Sequence, residues 1–120
     1  MTFGGYQIMK NKVLLLKHHQ MGHSDADLGE NLLETFFTLL NNQKDVPIAV
    51  FCMHKGVFTM TDHSFVSVQL KALSERGVYI LACRTCAEYY QIDNALTVGN
   101  LSSMAHFIEL ASQYEVMTIA

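Results

Sequence analysis

The chain has 120 residues, half of them apolar and 16% charged, with a formal net charge of −3. That length supports a single domain with its own core, and the apolar balance excludes a disordered chain. The acidic charge argues against a nucleic-acid partner, and no apolar run approaches the roughly 20 residues of a membrane span.

Residues 1–11 are weakly patterned and read as an N-terminal lead without the apolar region of a secretion signal. The domain is assigned to residues 12–120. Lys12 to Lys17 encloses a short apolar run that fits a strand buried on both faces. A polar loop follows to Asp27, with Ser24 as the expected cap of a helix. Leu28, Leu32, Leu33, Phe36, Leu39 and Leu40 recur at helical spacing, and Asn41-Asn42 ends that helix. Pro47 opens a second core strand, Ile48 to Met53, where no ladder donor is needed. His54 to His63 reads as a polar loop. Ser64 to Arg76 reads as a helix with Phe65, Val68 and Leu73 inward and Gly77 as its C-cap. Val78 to Ala82 is the third strand. Thr85 and Glu88 have the spacing of a capping box for a short helix through Gln91. Leu96 to Val98 is expected as a brief fourth strand, closed by Gly99-Asn100. Ser102 or Ser103 caps a last helix carrying Met104, Phe107, Ile108 and Ala111 at helical spacing, with His106 out of phase and exposed. Val116 to Ile119 makes the fifth strand. Strands alternating with helices imply an α/β fold with a parallel sheet.

Ligands of open α/β sheets bind beyond the carboxyl ends of the strands. On these boundaries that edge collects His18 and His19, then His54 and Lys55, then Cys83 to Cys86, then Gly99 and Asn100. The C-x-x-C pair is the sharpest feature. A thiolate is the reactive form of cysteine, and three local effects favour it here. These are the N-terminus of the following helix, with Thr85 as its cap, the charge of Arg84, and a neighbouring thiol. The same spacing is that of a zinc half-site, with His18, His19, His54 and His63 as available partners but no standard second pair among them. A thioredoxin-like site would need a proline facing the cysteines, and the only proline, Pro47, opens a strand well before them. Cys52 lies inside the second strand and reads as core. Three cysteines, two of them too local to staple a fold, suit a reduced, cytosolic chain. Neither phosphate-binding glycine motif is present.

Gly77 to Tyr90, GVYILACRTCAEYY, resembles the DsrE/DsrF-like sulfur-relay family. The closer likeness is to the carboxyl-terminal domain of the YedF-type selenium-metabolism proteins. SDADLG at 24–29, LSERG at 73–77 and VGNLSSM at 98–104 extend the resemblance to roughly residues 12–119. It departs at Arg84, where the family pattern has glycine, at Tyr90-Gln91 and at Met60-Thr61-Asp62. The resemblance implies a three-layer α/β/α sandwich around a five-stranded, mainly parallel sheet. It implies no cofactor, protein donors and acceptors of sulfur, and a homo-oligomer, a trimer or a hexamer. It matches Cys83 to the persulfide-bearing cysteine of carrier members and Cys86 to the second cysteine of the C-x-x-C branch. Cys83 is then expected at the carboxyl end of the middle strand, ahead of the helix cap and free to face solvent, as the sulfur acceptor. Cys86, in the first helical turn, is expected as its helper. The alternative is an oligomeric binding or assembly protein whose cysteines pack or hold a metal.

Overall fold

The structure, a computed structural model, describes residues 9–22 and 24–120, so the first eight residues of the lead and His23 of the first loop lie outside it. Met9–Asn11 form a single 3-10 turn, and Met9 packs on the core. Five strands follow: β1 (Lys12–Leu16), β2 (Ala49–Cys52), β3 (Tyr79–Cys83), β4 (Asn100–Ser102) and β5 (Glu115–Ile119). All pair in parallel in the order β4-β3-β2-β1-β5. β2, not β3, is therefore the middle strand of the sheet. Four helices connect or flank them: α1 (Ala26–Asn41), α2 (Val66–Glu75), α3 (Arg84–Tyr89) and α4 (Met104–Gln113).

The continuous apolar runs form strands because both sheet faces are covered. On one face Leu14, Leu16, Val50, Cys52, Ile80 and Ala82 pack with Leu33 and Phe37 of α1 and Val66, Leu70 and Leu73 of α2. On the other, Val13, Ala49, Phe51, Leu81 and Cys83 pack with Leu110 of α4. Phe107 joins them, its ring centroid 5.0 Å from that of Phe51. The result is a three-layer α/β/α sandwich, with α3 at the carboxyl edge of the sheet.

Several boundaries and phases differ from the sequence reading. α1 starts after Asp25 rather than Ser24, and Leu28, Leu32 and Leu39 of its wide apolar stripe stay exposed. Residues 54–60 are a 3-10 helix, not a polar loop, and Val57, Thr59 and Met60 are buried. α2 turns Val66, Leu70 and Leu73 inward, leaving Phe65 81% and Val68 65% exposed. Both choices contain Leu73, so spacing alone did not separate them. The C-cap of α2 is Arg76 rather than Gly77, and Gly77, one residue on, takes the left-handed φ of +92 that turns the chain out of the helix. α4 likewise buries Leu110 and half-buries His106 and Phe107, while Met104 and Ile108 face outward. The apolar residues Leu96 and Val98 pack on the first core instead of pairing, and β4 begins only after the turn at Gly99. Gly99 has φ +77, and a Cβ there would lie 2.2 Å from the Ile80 carbonyl oxygen, so close approach to β3 requires glycine.

Candidate functional site at the carboxyl edge of the sheet

β3 ends at Cys83, whose own extended backbone caps α3. Thr85 is thus inside the first turn and exposed, not the cap, and Glu88 pairs with Arg84 at 3.9 Å rather than closing a box. Both members of that pair are more than half exposed, so the Arg84 charge is largely screened by water. Cys86 sits one turn along, half-buried between the two cores. The exposures of the two thiols reverse the sequence expectation. Cys83 is 4% exposed, because its side chain follows the strand alternation into the apolar layer under α4. Cys86, on the helix, is the thiol that reaches the surface.

A backbone donor addresses Cys86. The chain turns sharply after β2, and His54 takes a left-handed φ of +51, a conformation uncommon outside glycine. Its amide N–H donates to Cys86 Sγ at 3.1 Å. Gly56 makes the turn possible by lying against the Leu16 carbonyl, where a Cβ would be 2.1 Å from the oxygen. Phe58 and Tyr90 hold the turn against the end of α3 with ring centroids 5.1 Å apart. Burial raises the Cys86 thiol above its ordinary value, the His54 amide offsets part of that, and hydrogen bonding and charge from Cys83 raise it further. Cys52 is sealed in the core. Burial pushes its thiol up to about 12 despite a contact with the Thr59 hydroxyl, so it takes no part in chemistry near neutral pH.

The remaining edge residues divide. His54 is in the site through its amide. His18 and His19 follow β1, two strand spacings from β3, or roughly 10 Å. Their rings lie 5.9 Å apart. His19 lines a cleft of about 870 Å³ with Lys55, His63, Tyr90 and the acidic face of α1, and the cysteines are not part of that lining. Gly99 and Asn100 leave the edge altogether, since the register pairs Asn100 with Leu81, two residues short of Cys83. The β4 residue level with Cys83 is Ser102, and its Oγ lies 2.7 Å from Nδ1 of His106. Sequence reasoning missed both. The signal was present in the serine pair before α4, but the misplaced fourth strand hid its register. Among the described residues no three His, Cys, Asp or Glu side chains converge as a metal site, and no helix is long and apolar enough to cross a membrane.

Residues 30–119 match the model of the DsrE/DsrF-like family. The chain belongs to that family. Solved structures agree with the DsrE/DsrF-like fold. The chain is similar to a protein of unknown function from Methanobacterium thermoautotrophicum, with a TM-score of 0.64 and 19% identity over 89% of this chain and 96% of that one. It is also similar to the ychN protein of E. coli, with a TM-score of 0.66 and 14% identity over 90% and 98% of the two chains. A conserved protein of unknown function from Bacteroides thetaiotaomicron aligns with a TM-score of 0.61 and 16% identity over 96% and 100%. No curated protein matches the chain in sequence.

Proposed function

We propose that this DsrE/DsrF-like chain is a persulfide carrier in which Cys83 and Cys86 hold and pass a sulfane sulfur. The observation that carries this reading is the pair itself. Two reduced thiols meet at a strand-to-helix junction, and one of them accepts a backbone N–H at 3.1 Å from a residue in a strained conformation. Exposure sets the order of events. The Cys86 thiolate attacks the outer sulfur of a donor persulfide, forming a Cys86 persulfide and releasing the donor thiolate. The Cys83 thiolate then has two courses. Attack on the outer sulfur moves it to Cys83 and frees Cys86 as thiolate. Attack on the inner sulfur closes a Cys83–Cys86 disulfide and expels hydrosulfide. The likeness of residues 77–90 to the YedF-type proteins extends the proposal to selenium as an alternative cargo. The donor and acceptor are taken to be proteins. The exposed apolar side chains of Tyr79, Met104 and Ile108 on the α4 side support assembly of the chain into a homo-oligomer.

The test is incubation with a persulfide donor, removal of excess donor, and peptide mapping by mass spectrometry. One added sulfur on the peptide holding Cys83 and Cys86 is the expected result. No loading from any donor, with both thiols reacting at the rate of ordinary cysteine, would favour the assembly reading instead.

A further inference from the structure

The cleft that His19 shares with Lys55 and α1 has no part in the carrier reading, yet at about 870 Å³ it is of the size that takes small molecules. Its lining carries charge of both signs. On α1, Asp27, Glu30 and Glu34 recur at i, i+3 and i+7, so their carboxylates share one face along roughly 10 Å of helix. The rest of the rim supplies Lys55, His63 and the residues that open α2, Ser64 to Val66, where the helix dipole is positive. Among the described residues the ion pairs are Lys12 with Glu115 and Arg84 with Glu88, so the three carboxylates and Lys55 are not neutralised from within the chain. His19 belongs to the same lining, and its Nδ1 is buried with no hydrogen-bond partner.

The third component is aromatic. Phe58 and Tyr90, with ring centroids 5.1 Å apart, line the cleft together with Phe65. Carboxylates alone would take any cation, and Lys55 with a helix N-terminus would take any anion. A molecule with both charges on a short apolar body satisfies all three components at once. That is the chemistry of an α-amino acid, or of a short peptide with free ammonium and carboxylate groups. The aromatic patch also sets what the ligand's side chain approaches. The Tyr90 amide donates to the Cys86 carbonyl at 3.0 Å, and Lys55 follows His54, whose amide donates to Cys86 Sγ at 3.1 Å. The cysteines are outside the lining, but Cys86 is one helical turn from it. Sulfur, moreover, makes favourable contacts with aromatic rings.

We propose that the cleft binds a small zwitterionic thiol of the amino-acid or short-peptide class and presents it to Cys86 as an acceptor of sulfur. The ammonium group meets the α1 carboxylates, the carboxylate meets Lys55 and the N-terminus of α2, and the thiol arm lies over Phe58 and Tyr90. The transfer step rests on the carrier reading; the binding does not. In that step the ligand thiol loses its proton to water, and its thiolate attacks the outer sulfur of a Cys86 persulfide. A new sulfur–sulfur bond forms on the ligand, the bond to Cys86 breaks, and its electron pair stays on Sγ as a thiolate. The ligand leaves as a persulfide, and no further oxidant or reductant is needed.

Binding is tested by amide NMR titration with S-methyl-L-cysteine, which has both charges and cannot accept sulfur. The Lys55, Val66 and Tyr90 amides should shift and saturate with a Kd of about 1 mM, as suits so few ligand atoms. The methyl ester of this probe keeps only the ammonium, and its N-acetyl form keeps only the carboxylate. Each should bind about tenfold more weakly than the zwitterion. Glu34→Gln should weaken the zwitterion and the ester but not the N-acetyl form, and Lys55→Gln should weaken the zwitterion and the N-acetyl form but not the ester. A merely structural effect would weaken all three alike. Tighter binding of the ester than of the zwitterion, or shifts that do not saturate at the cleft, would overturn the site. For the transfer, persulfide-loaded protein is discharged with L-cysteine. The rate should saturate with L-cysteine and fall on adding S-methyl-L-cysteine, and a strictly linear rate that S-methyl-L-cysteine leaves unchanged would overturn the acceptor role. Saturable binding to a protein that no donor loads would keep the site and remove the carrier; loading without binding in the cleft would do the reverse.

Discussion

Gly56→Ala tests how the site is built. A Cβ at this position would lie 2.1 Å from the Leu16 carbonyl oxygen and 2.8 Å from its carbon, where real Cβ contacts essentially never fall under 3.0 Å. A gap of about 1 Å must open, and backbone lies on both sides of it. The Met53 amide donates to that same Leu16 oxygen at 3.0 Å, and the Gly56 amide donates to Met53 at 2.9 Å, so both bonds are strained together. Overpacking costs typically 1–3 kcal/mol, and two rigid walls place this case near about 3. For a domain of this size that corresponds to a fall in melting temperature of roughly 10 °C. Gly77→Ala is the control. Unlike Gly56 it has a positive φ, but nothing lies within 4 Å of its added Cβ, so only the conformational cost of about 1 kcal/mol applies. The same displacement lengthens the His54 N–H contact to Cys86 from 3.1 Å and removes the group that favours the thiolate. Thermal unfolding by circular dichroism and the alkylation rate of Cys86 at pH 7 are the two readouts. Melting within about 2 °C of the parent together with unchanged Cys86 reactivity would refute the reasoning.

Cys52 sets an alkaline limit on stability. Its thiol ionises near its ordinary value of 9.0 when unfolded and at about 12 when folded. The folded state therefore holds a proton that the unfolded state has lost, and stability is complete below pH 9 and declines as pH rises toward 12. The slope should reach about 1.4 kcal/mol per pH unit, and Cys52→Ala should remove that share of it in denaturant titrations across the window. An identical slope in the variant would mean that another group is responsible. Ser103→Ala removes the oxygen that caps α4 at the His106 amide and should cost about 1 kcal/mol, read as a lower denaturant midpoint. An unmoved midpoint would show that the cap is dispensable. Light scattering at micromolar concentration should return a mass well above the 13.5 kDa of one chain, and a clean monomer would contradict the proposed assembly.

The strands were legible because each apolar run is bounded by polar or turn residues, and a sheet covered on both faces needs such runs. Cys83 was placed at a strand end for the same reason. The helix phases were harder. α2 offers two overlapping apolar faces, and only the position of the sheet selects Val66 and Leu70 over Phe65 and Val68. The fourth strand was misplaced because Leu96, Thr97 and Val98 have strand chemistry but pack as a buried connection. The Thr97 amide is spent on the Met60 carbonyl at 2.8 Å instead of a ladder. That error carried over to the site. Moving β4 to Asn100–Ser102 takes Gly99 and Asn100 off the edge and brings Ser102 level with Cys83. The burial of Cys83 was illegible for a related reason. A residue that caps a helix and also ends a strand keeps the strand's facing, and sequence spacing does not say which of the two governs its side chain.

The most direct test of the carrier account is persulfide loading of the two single-cysteine variants, with the added sulfur located by mass spectrometry. Cys86→Ser should lose loading from a protein-sized donor, because the exposed thiol is gone. Cys83→Ser should still load one sulfur on Cys86 but neither relay it nor close a disulfide. Full loading of Cys86→Ser alongside none of Cys83→Ser would contradict this order of events and return the acceptor role to the buried thiol.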